Sequence, residues 1–215
     1  MVKKIKSGLC KRSTFVLLSI HTSLQGIKGA DIVTAGTKTI TKKKTNIKEL
    51  VITAMFIALT YVFTAFINVR LPFGGNGGLI HLGNIPLFIA AIVFGKKTGA
   101  LAGAVGMGLF DLISGWVSWA PFTFVIVGLM GLTVGLITEK KEHKKTFWYF
   151  VAIVAALIIK VVGYYFAEVI LYSNFYTPFA SIPGNIIQVS FAGIITLFIV
   201  KQLRFVAEKT NLIEG

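Results

Sequence analysis

The sequence contains little of what soluble enzymes and secreted domains are built from. It has one cysteine, Cys10, which excludes a disulfide framework and a cysteine-based metal site. It has only 8 acidic residues against 22 basic ones, and charged residues make up 14% of the chain. Soluble proteins carry about 25%. No G-x-S-x-G, H-E-x-x-H or Walker G-x-x-x-x-G-K-[ST] motif is present. Neither an enzyme nor an ATP-hydrolysing site is therefore indicated.

What the chain has in excess is apolar sequence. Hydrophobic residues make up 55% of its 215 residues, and the mean hydropathy is +0.79. These values predict an integral membrane protein. The formal charge of +14 would suggest nucleic acid on a soluble surface. Here the lysines lie in the N-terminal tail and between apolar runs, so they carry topological information, and no nucleic-acid partner is expected.

The first 45 residues stand apart from the rest. Lysines and an arginine precede a short apolar patch at 15–20, which resembles the start of a signal peptide but has no clear A-x-A site after it. We interpret residues 1–45 as a disordered basic cytoplasmic tail or as an extension from a misassigned start codon. Residues 46–205 are predicted to form the transmembrane domain, and residues 206–215 a short cytoplasmic tail.

Six apolar segments are predicted to form transmembrane helices, near 49–69, 83–95, 98–115, 120–138, 147–171 and 179–203. The second is short for a span. Basic residues precede the first segment, follow the sixth, and lie between the second and third and between the fourth and fifth. The alternate connections hold only Arg70 and His81. Because basic residues favour the cytoplasm, both termini are predicted to lie inside. The expected fold is an all-α bundle of six helices in a prokaryotic plasma membrane.

The stretch from Leu50 to Asn84 combines two features. Ala54 and Ala58 are four residues apart on the first predicted helix, so they share one face that suits close helix docking. A glycine-rich loop follows and is expected to gate a pocket. Its residues are Gly74, Gly75, Asn76, Gly77 and Gly78.

Polar side chains at membrane depth are costly and usually functional. Lys160, Tyr164 and Glu168 lie at i, i+4 and i+8, so they form one stripe on the fifth helix. Asn185 and Gln188 would meet it from the sixth helix, and Asp111 lies on the third. Two interpretations remain open: Lys160 pairs with an acidic residue as a structural element, or the cluster lines an outward-facing pocket.

Aromatic residues mark the same side of the membrane. Trp116 and Trp119 lie in a connection without charge. They fit an interfacial aromatic belt. Together with His81, Asn84 and Asn185 they also fit a site for a flat, hydrogen-bonding heterocycle. No histidine partners lie at ligand spacing, so neither a metal nor another cofactor is expected.

The third segment carries glycines and alanines at short intervals, including Gly99, Gly103 and Gly106. In lipid, helices associate by close packing of small residues rather than by burial from water. These glycines therefore predict helix contacts, and a binding role is not needed to explain them.

Several of these motifs together resemble a known family. Ala54-x-x-x-Ala58, Leu82-Gly-Asn-Ile-Pro86, the three glycines Gly95, Gly99 and Gly103, and Asp111-Leu-Ile-Ser-Gly115 are similar to the substrate-binding S components of energy-coupling factor (ECF) vitamin transporters. The resemblance covers about residues 47–203. It is greatest for the branch assigned to hydroxymethylpyrimidine and pyridoxine-type precursors.

The resemblance implies a membrane protein that binds a vitamin from outside without changing it chemically. It implies docking through Ala54 and Ala58 on a transmembrane T component coupled to two cytoplasmic ABC ATPases. Ligand contacts are expected from Asn84, Asp111, Trp116, Trp119, Lys160, Glu168, Asn185 or Gln188. Other B vitamins (pantothenate, riboflavin or folate), a self-contained ion-coupled transporter and a membrane-embedded enzyme remain alternatives.

Overall fold

The computed structural model of the protein describes residues 47–70, 79–139 and 146–213. Within these ranges it forms six α-helices, one two-stranded hairpin and a 3₁₀ turn at Thr177–Ala180. The helices are α1 Ile47–Phe66, α2 Asn84–Phe94, α3 Lys96–Ile113, α4 Ala120–Thr138, α5 Thr146–Tyr172 and α6 Ile182–Lys209. The strands are β1 Asn68–Arg70 and β2 Leu79–His81. The predicted N-terminal tail and the loop glycines 74–78 lie outside the described residues.

Each apolar segment predicted from the sequence coincides with one of these helices. The largest difference is in α6, which continues to Lys209 although its segment was predicted to end near 203. Among the described residues, the helical stretches long and apolar enough to cross a membrane are Ile47–Phe66, Ala120–Thr138, Thr146–Tyr172 and Thr177–Lys209. The fold is therefore mostly helical, with several apolar helices, as expected of an integral membrane protein.

The short helix α2 is the centre of the bundle. Nine of its eleven residues are buried, and Leu87 and Phe88 are fully so. It packs against α1, α3, α4 and α6. A helix surrounded by other helices needs apolar or small residues on every side, which explains why its sequence shows no polar face. Helix α2 is therefore surrounded by the neighbouring helices and not by lipid.

Gly95 makes the sharp turn between α2 and α3. Its φ of +94° lies in the left-handed region, which other residues rarely adopt. On the other side of the turn, Lys96 donates hydrogen bonds to Glu139 from its backbone N–H at 2.9 Å and from Nζ at 2.8 Å. Burial acts to raise the pKa of Glu139, but these hydrogen bonds and the charges of Lys96 and Lys97 outweigh it and hold that pKa below its ordinary value. The carboxylate therefore joins the ends of α3 and α4.

Helix α1 lies at the edge of the bundle, against α3 and α2. Its buried residues Thr53, Phe56, Thr60 and Thr64 recur at helical spacing and form one stripe. The Thr53 hydroxyl lies 3.3 Å from the Thr98 hydroxyl of α3. The opposite face of α1 is exposed, and Ala54 and Ala58 lie on it.

The glycines of α3 allow the other helices to approach closely. A Cβ at Gly99 would collide with Ala91 of α2, one at Gly103 with Leu87, and one at Gly106 with Thr60 of α1. The prediction that these glycines serve helix packing is confirmed at all three positions.

A related contact between α3 and α4 leads to a stability prediction. A Cβ at Gly131 would overlap the backbone carbonyl of Gly99, whereas a Cβ at Gly128, one turn earlier, would lie 3.2 Å from the Ala104 side chain. Overpacking a tight contact typically costs about 1–3 kcal/mol. We expect Gly131→Ala to destabilise the protein by that amount and Gly128→Ala to have little effect. Thermal unfolding in detergent measures both, and equal melting temperatures for the two variants would contradict the prediction.

The prediction of an all-α chain misses the β hairpin. Strands β1 and β2 are antiparallel, with Asn68 opposite His81 and Arg70 opposite Leu79. Three-residue strands are too short to show the alternation by which a strand is recognised in a sequence. The hairpin matters because β2 also contacts α6 and brings His81 into the bundle.

Candidate functional site

A cavity opens between β2 and the helices α1, α3, α4, α5 and α6. Its empty volume is about 570 Å³, including the space at its open mouth. Polar and aromatic side chains dominate its wall, which is formed by Thr64, Leu79, His81, Met107, Phe110, Asp111, Trp116, Trp119, Thr123, Lys160, Tyr164, Glu168, Asn185 and Gln188.

The structure brings nine of the ten residues proposed from the sequence as ligand contacts to this one cavity. The nine are His81, Asp111, Trp116, Trp119, Lys160, Tyr164, Glu168, Asn185 and Gln188. They come from separate parts of the chain. On α5 and α6 the spacing of i, i+3, i+4 and i+8 is sufficient to place side chains on one face, and these two faces meet.

A chain of hydrogen bonds joins three elements at the cavity wall. Nζ of Lys160 on α5 donates to Oε1 of Gln188 on α6 at 2.9 Å. Nε2 of Gln188 donates to the backbone carbonyl of His81 on β2 at 3.0 Å. Both side chains are buried, with 2% of their surface exposed. The ammonium group is thus held inside the protein by a neutral amide.

Lys160 does not form the ion pair considered as its structural role. Neither Asp111 nor Glu168 lies within 4.0 Å of the ammonium nitrogen of Lys160. The structure therefore shows no direct ion pair between Lys160 and either carboxylate, and a structural role for this side chain stays a prediction. Removing a charge from water without a close counter-charge is costly, and such groups are usually functional.

Aromatic rings form one wall of the cavity. The ring centroid of Trp119 lies 6.3 Å from that of Tyr164 and 6.0 Å from that of Tyr172. The ammonium nitrogen of Lys160 lies 5.6 Å from the centroid of the Tyr164 ring, within cation–π range. The Tyr164 hydroxyl lies 3.1 Å from that of Thr123 on α4, which fixes the ring. The wall thus combines flat surfaces with an adjacent cation.

His81 presents a defined tautomer. Its Nδ1 accepts a hydrogen bond from the backbone N–H of Gly83 at 3.3 Å. An imidazole that accepts a hydrogen bond at Nδ1 is neutral, because an imidazolium carries a proton on both nitrogens. With Nδ1 acting as an acceptor, the proton is assigned to Nε2, which is left as a donor.

Asn84 is the one proposed contact that does not line the cavity. It begins α2 and is fully buried, and neither atom of its amide has a hydrogen-bond partner among the described residues. Its neighbour Gly83 packs directly on Thr64, His81 and Met107 of the cavity wall. Asn84 therefore lies behind that wall rather than in it.

Five lining residues were not proposed from the sequence: Thr64, Leu79, Met107, Phe110 and Thr123. A helical-face argument could have found two of them. Met107 precedes Asp111 by four residues, and Thr123 follows Trp119 by four, so each pair shares a helix face. Leu79 had no such signal, because its position depends on the hairpin.

Comparison with known proteins provides independent information. The family model for the S component of ECF-type riboflavin transporters matches residues 44–205. Thiamine precursor transporter HmpT of Lactococcus lactis subsp. cremoris is 28% identical over 170 residues, which is 79% of this chain and 93% of HmpT. A Pyrococcus woesei protein, encoded in the gap 3′ region and uncharacterised, is 35% identical over 104 residues, 48% of this chain and 68% of that protein.

Solved structures share the fold. A structure described as the S component of a bacterial ECF transporter superposes with a TM-score of 0.59 at 22% identity, covering 73% of this chain and 95% of that one. ThiT from Listeria monocytogenes gives a TM-score of 0.58 at 21% identity, with 73% and 94% covered. At these identities the likeness establishes the fold alone.

Proposed function

Because the chain belongs to the family of ECF-type riboflavin transporter S components, we propose that it binds a hydroxymethylpyrimidine-type vitamin precursor from outside the cell for uptake. The family consists of transporter components for vitamins or vitamin precursors, not of enzymes. The resemblance inferred from the sequence motifs is thereby confirmed at the level of the family. The observation that carries the choice of ligand is that one cavity brings together a cation, carboxylates and an aromatic wall.

A one-ring heterocycle suits this cavity better than a flavin. HmpT, which is named for a thiamine precursor, aligns with this chain over 93% of the length of HmpT. The family description names riboflavin, a much larger molecule with three fused rings and a ribityl chain. Trp119 offers a one-ring heterocycle a stacking surface, and Asp111, Lys160 and Asn185 offer hydrogen bonds.

In the proposed topology the six helices alternate in direction through the membrane, with both termini in the cytoplasm, and the short α2 reaches only part of the way across. The lysines in the first turn of α3 and in the connection between α4 and α5 support this orientation, as do the basic residues near the end of α6. The cavity then opens to the outside. We place the protein in a prokaryotic plasma membrane.

Delivery requires partners, since the sequence contains no ATP-binding motif. We propose docking on a transmembrane T component coupled to two cytoplasmic ABC ATPases, as in ECF transporters generally. Ala54 and Ala58 are exposed on α1, where a partner helix could approach closely. That face points away from the cavity, so ligand binding and docking use separate surfaces.

Calorimetric titration of the purified full-length protein with a vitamin panel tests the ligand. Hydroxymethylpyrimidine is expected to bind at least about 100-fold more tightly than riboflavin, pantothenate or folate, because a ligand that leaves buried polar groups unpaired is strongly disfavoured. Tighter binding of riboflavin would overturn the choice of ligand. Absence of binding, with solute accumulation in proteoliposomes of this protein alone, would overturn the proposal of an S component.

A further inference from the structure

Gln188 differs from the other polar residues of the cavity because both ends of its amide are already bonded inside the protein. Oε1 accepts from Lys160 and Nε2 donates to the His81 carbonyl, at 2.9 and 3.0 Å. Asn185, one helical turn earlier on α6, also lines the cavity. Its side-chain amide has no hydrogen-bond partner in the described part of the chain. The Asn185 amide can therefore form hydrogen bonds with a ligand, whereas the Gln188 amide already uses both of its ends inside the protein.

The His81 carbonyl determines which way the Gln188 amide faces. A backbone carbonyl can only accept hydrogen bonds, so the amide nitrogen must face β2. The amide oxygen must then face α5, where Lys160 can only donate. Reversing the amide would place an acceptor against an acceptor and a donor against a donor. The orientation is therefore fixed by the protein alone.

This arrangement also restricts the lysine. A lysine side chain loses rotamer entropy when it is held in one conformation. In this structure Lys160 is held before any ligand arrives, by Gln188 at its tip and by the Tyr164 ring beside it. One N–H of the ammonium group is used, and the others remain for a ligand. A donor positioned in advance binds more tightly because less freedom is lost on association.

We infer that Gln188 is a positioning residue: it acts on the ligand through Lys160, whose ammonium group it holds, and does not contact the ligand itself. This inference rests on the proposed function and changes the role that the sequence suggested for Gln188. It also assigns Asn185, rather than Gln188, as the amide of α6 that contacts the ligand.

A double-mutant cycle on the full-length protein tests the inference, with the dissociation constant for hydroxymethylpyrimidine measured by calorimetry. Methionine is close to glutamine and lysine in volume, so Gln188→Met and Lys160→Met avoid large cavities. We expect Gln188→Met to weaken binding about 10-fold and Lys160→Met about 100-fold. The double variant should bind no more weakly than Lys160→Met, because Gln188 has nothing left to position.

Asn185→Leu provides the matched comparison. Its effect on binding should multiply with that of Gln188→Met, since the two residues act independently. Thermal unfolding of each unliganded variant separates folding from binding. Gln188→Met leaves both the Lys160 ammonium and the His81 carbonyl without their partner. The part of its stability loss that comes from the unpaired ammonium should disappear when Lys160→Met is also present, and the part that comes from the carbonyl should remain.

Three outcomes distinguish the possibilities. If Gln188→Met costs the same factor with and without Lys160, Gln188 contacts the ligand directly and the inference is wrong. If it lowers only the melting temperature, its role is structural, which also overturns the inference. A wild-type protein that binds no member of the panel would instead overturn the proposed function, and this is measured before any variant is made.

Discussion

Uptake through the complete transporter is expected to fall to background when Ala54 and Ala58 are both replaced by leucine. Both alanines are exposed on α1, on the face opposite its buried threonine stripe. Small residues allow two helix backbones to approach in lipid, and side chains of leucine size hold them apart. The measurement is ATP-dependent accumulation of labelled solute in proteoliposomes that contain the protein and its partners.

The control places larger side chains on an exposed face of another helix, α5. Val154 and Ile158 are also four residues apart, on α5, and are 37% and 59% exposed. Val154→Phe with Ile158→Phe should leave uptake unchanged. Ligand affinity should be unchanged in all of these variants, because neither face lines the cavity. Normal uptake by the leucine variant, or loss of its ligand binding, would contradict the assignment of α1 as the docking helix.

Ligand affinity is expected to fall about 100-fold in Lys160→Met, while the thermal stability of the unliganded protein is retained or increased. A hydrogen bond from a charged donor contributes about 1.5–3 kcal/mol, and its loss reduces affinity accordingly. In the unliganded protein the same ammonium group is 2% exposed, and burial of a charge without a close counter-charge is unfavourable. Methionine removes that cost and retains most of the volume.

Calorimetry and thermal unfolding of the same samples check both parts of this prediction. Lys201→Met, at an exposed position near the end of α6, should change neither quantity. Opposed effects on affinity and stability are typical of a functional residue kept at the expense of the fold. Unchanged affinity together with a lower melting temperature would show that Lys160 is a structural residue.

The sequence was sufficient to predict the helices and the face of α5 that enters the cavity. The apolar runs are long and separated by clear polar breaks, and helical periodicity is regular enough to group Lys160, Tyr164 and Glu168. The spacing of four residues groups Ala54 and Ala58 on one face of α1, which the structure shows to be exposed, and their docking role stays a prediction. All of these inferences depend on residues close together in the chain.

What could not be predicted depends on contacts between distant residues. The Gln188–His81 hydrogen bond joins positions 107 residues apart and exists only because the hairpin pairs β1 with β2. The partner of Lys160 was equally inaccessible: two carboxylates and two amides were all within plausible reach. In the folded protein, side-chain packing places the amide of Gln188, rather than a carboxylate, within hydrogen-bond distance of the Lys160 ammonium group. Asn84 was misplaced because its side chain lies behind the wall that its neighbours form.

The shortness of α2 determines how deep a bound solute lies. Eleven helical residues span about 16 Å, roughly half of the hydrocarbon core of a bilayer. In the proposed orientation, α2 rises from Gly95 at the cytoplasmic end to the turn beside His81, which lines the cavity. Irregular backbone at such depth is tolerated only where protein or a cavity surrounds it. In that orientation, a solute in contact with His81 would have passed the outer half of the membrane by diffusion and binding alone. The proposed ATP-driven step would then have only the inner half of the permeation path to complete.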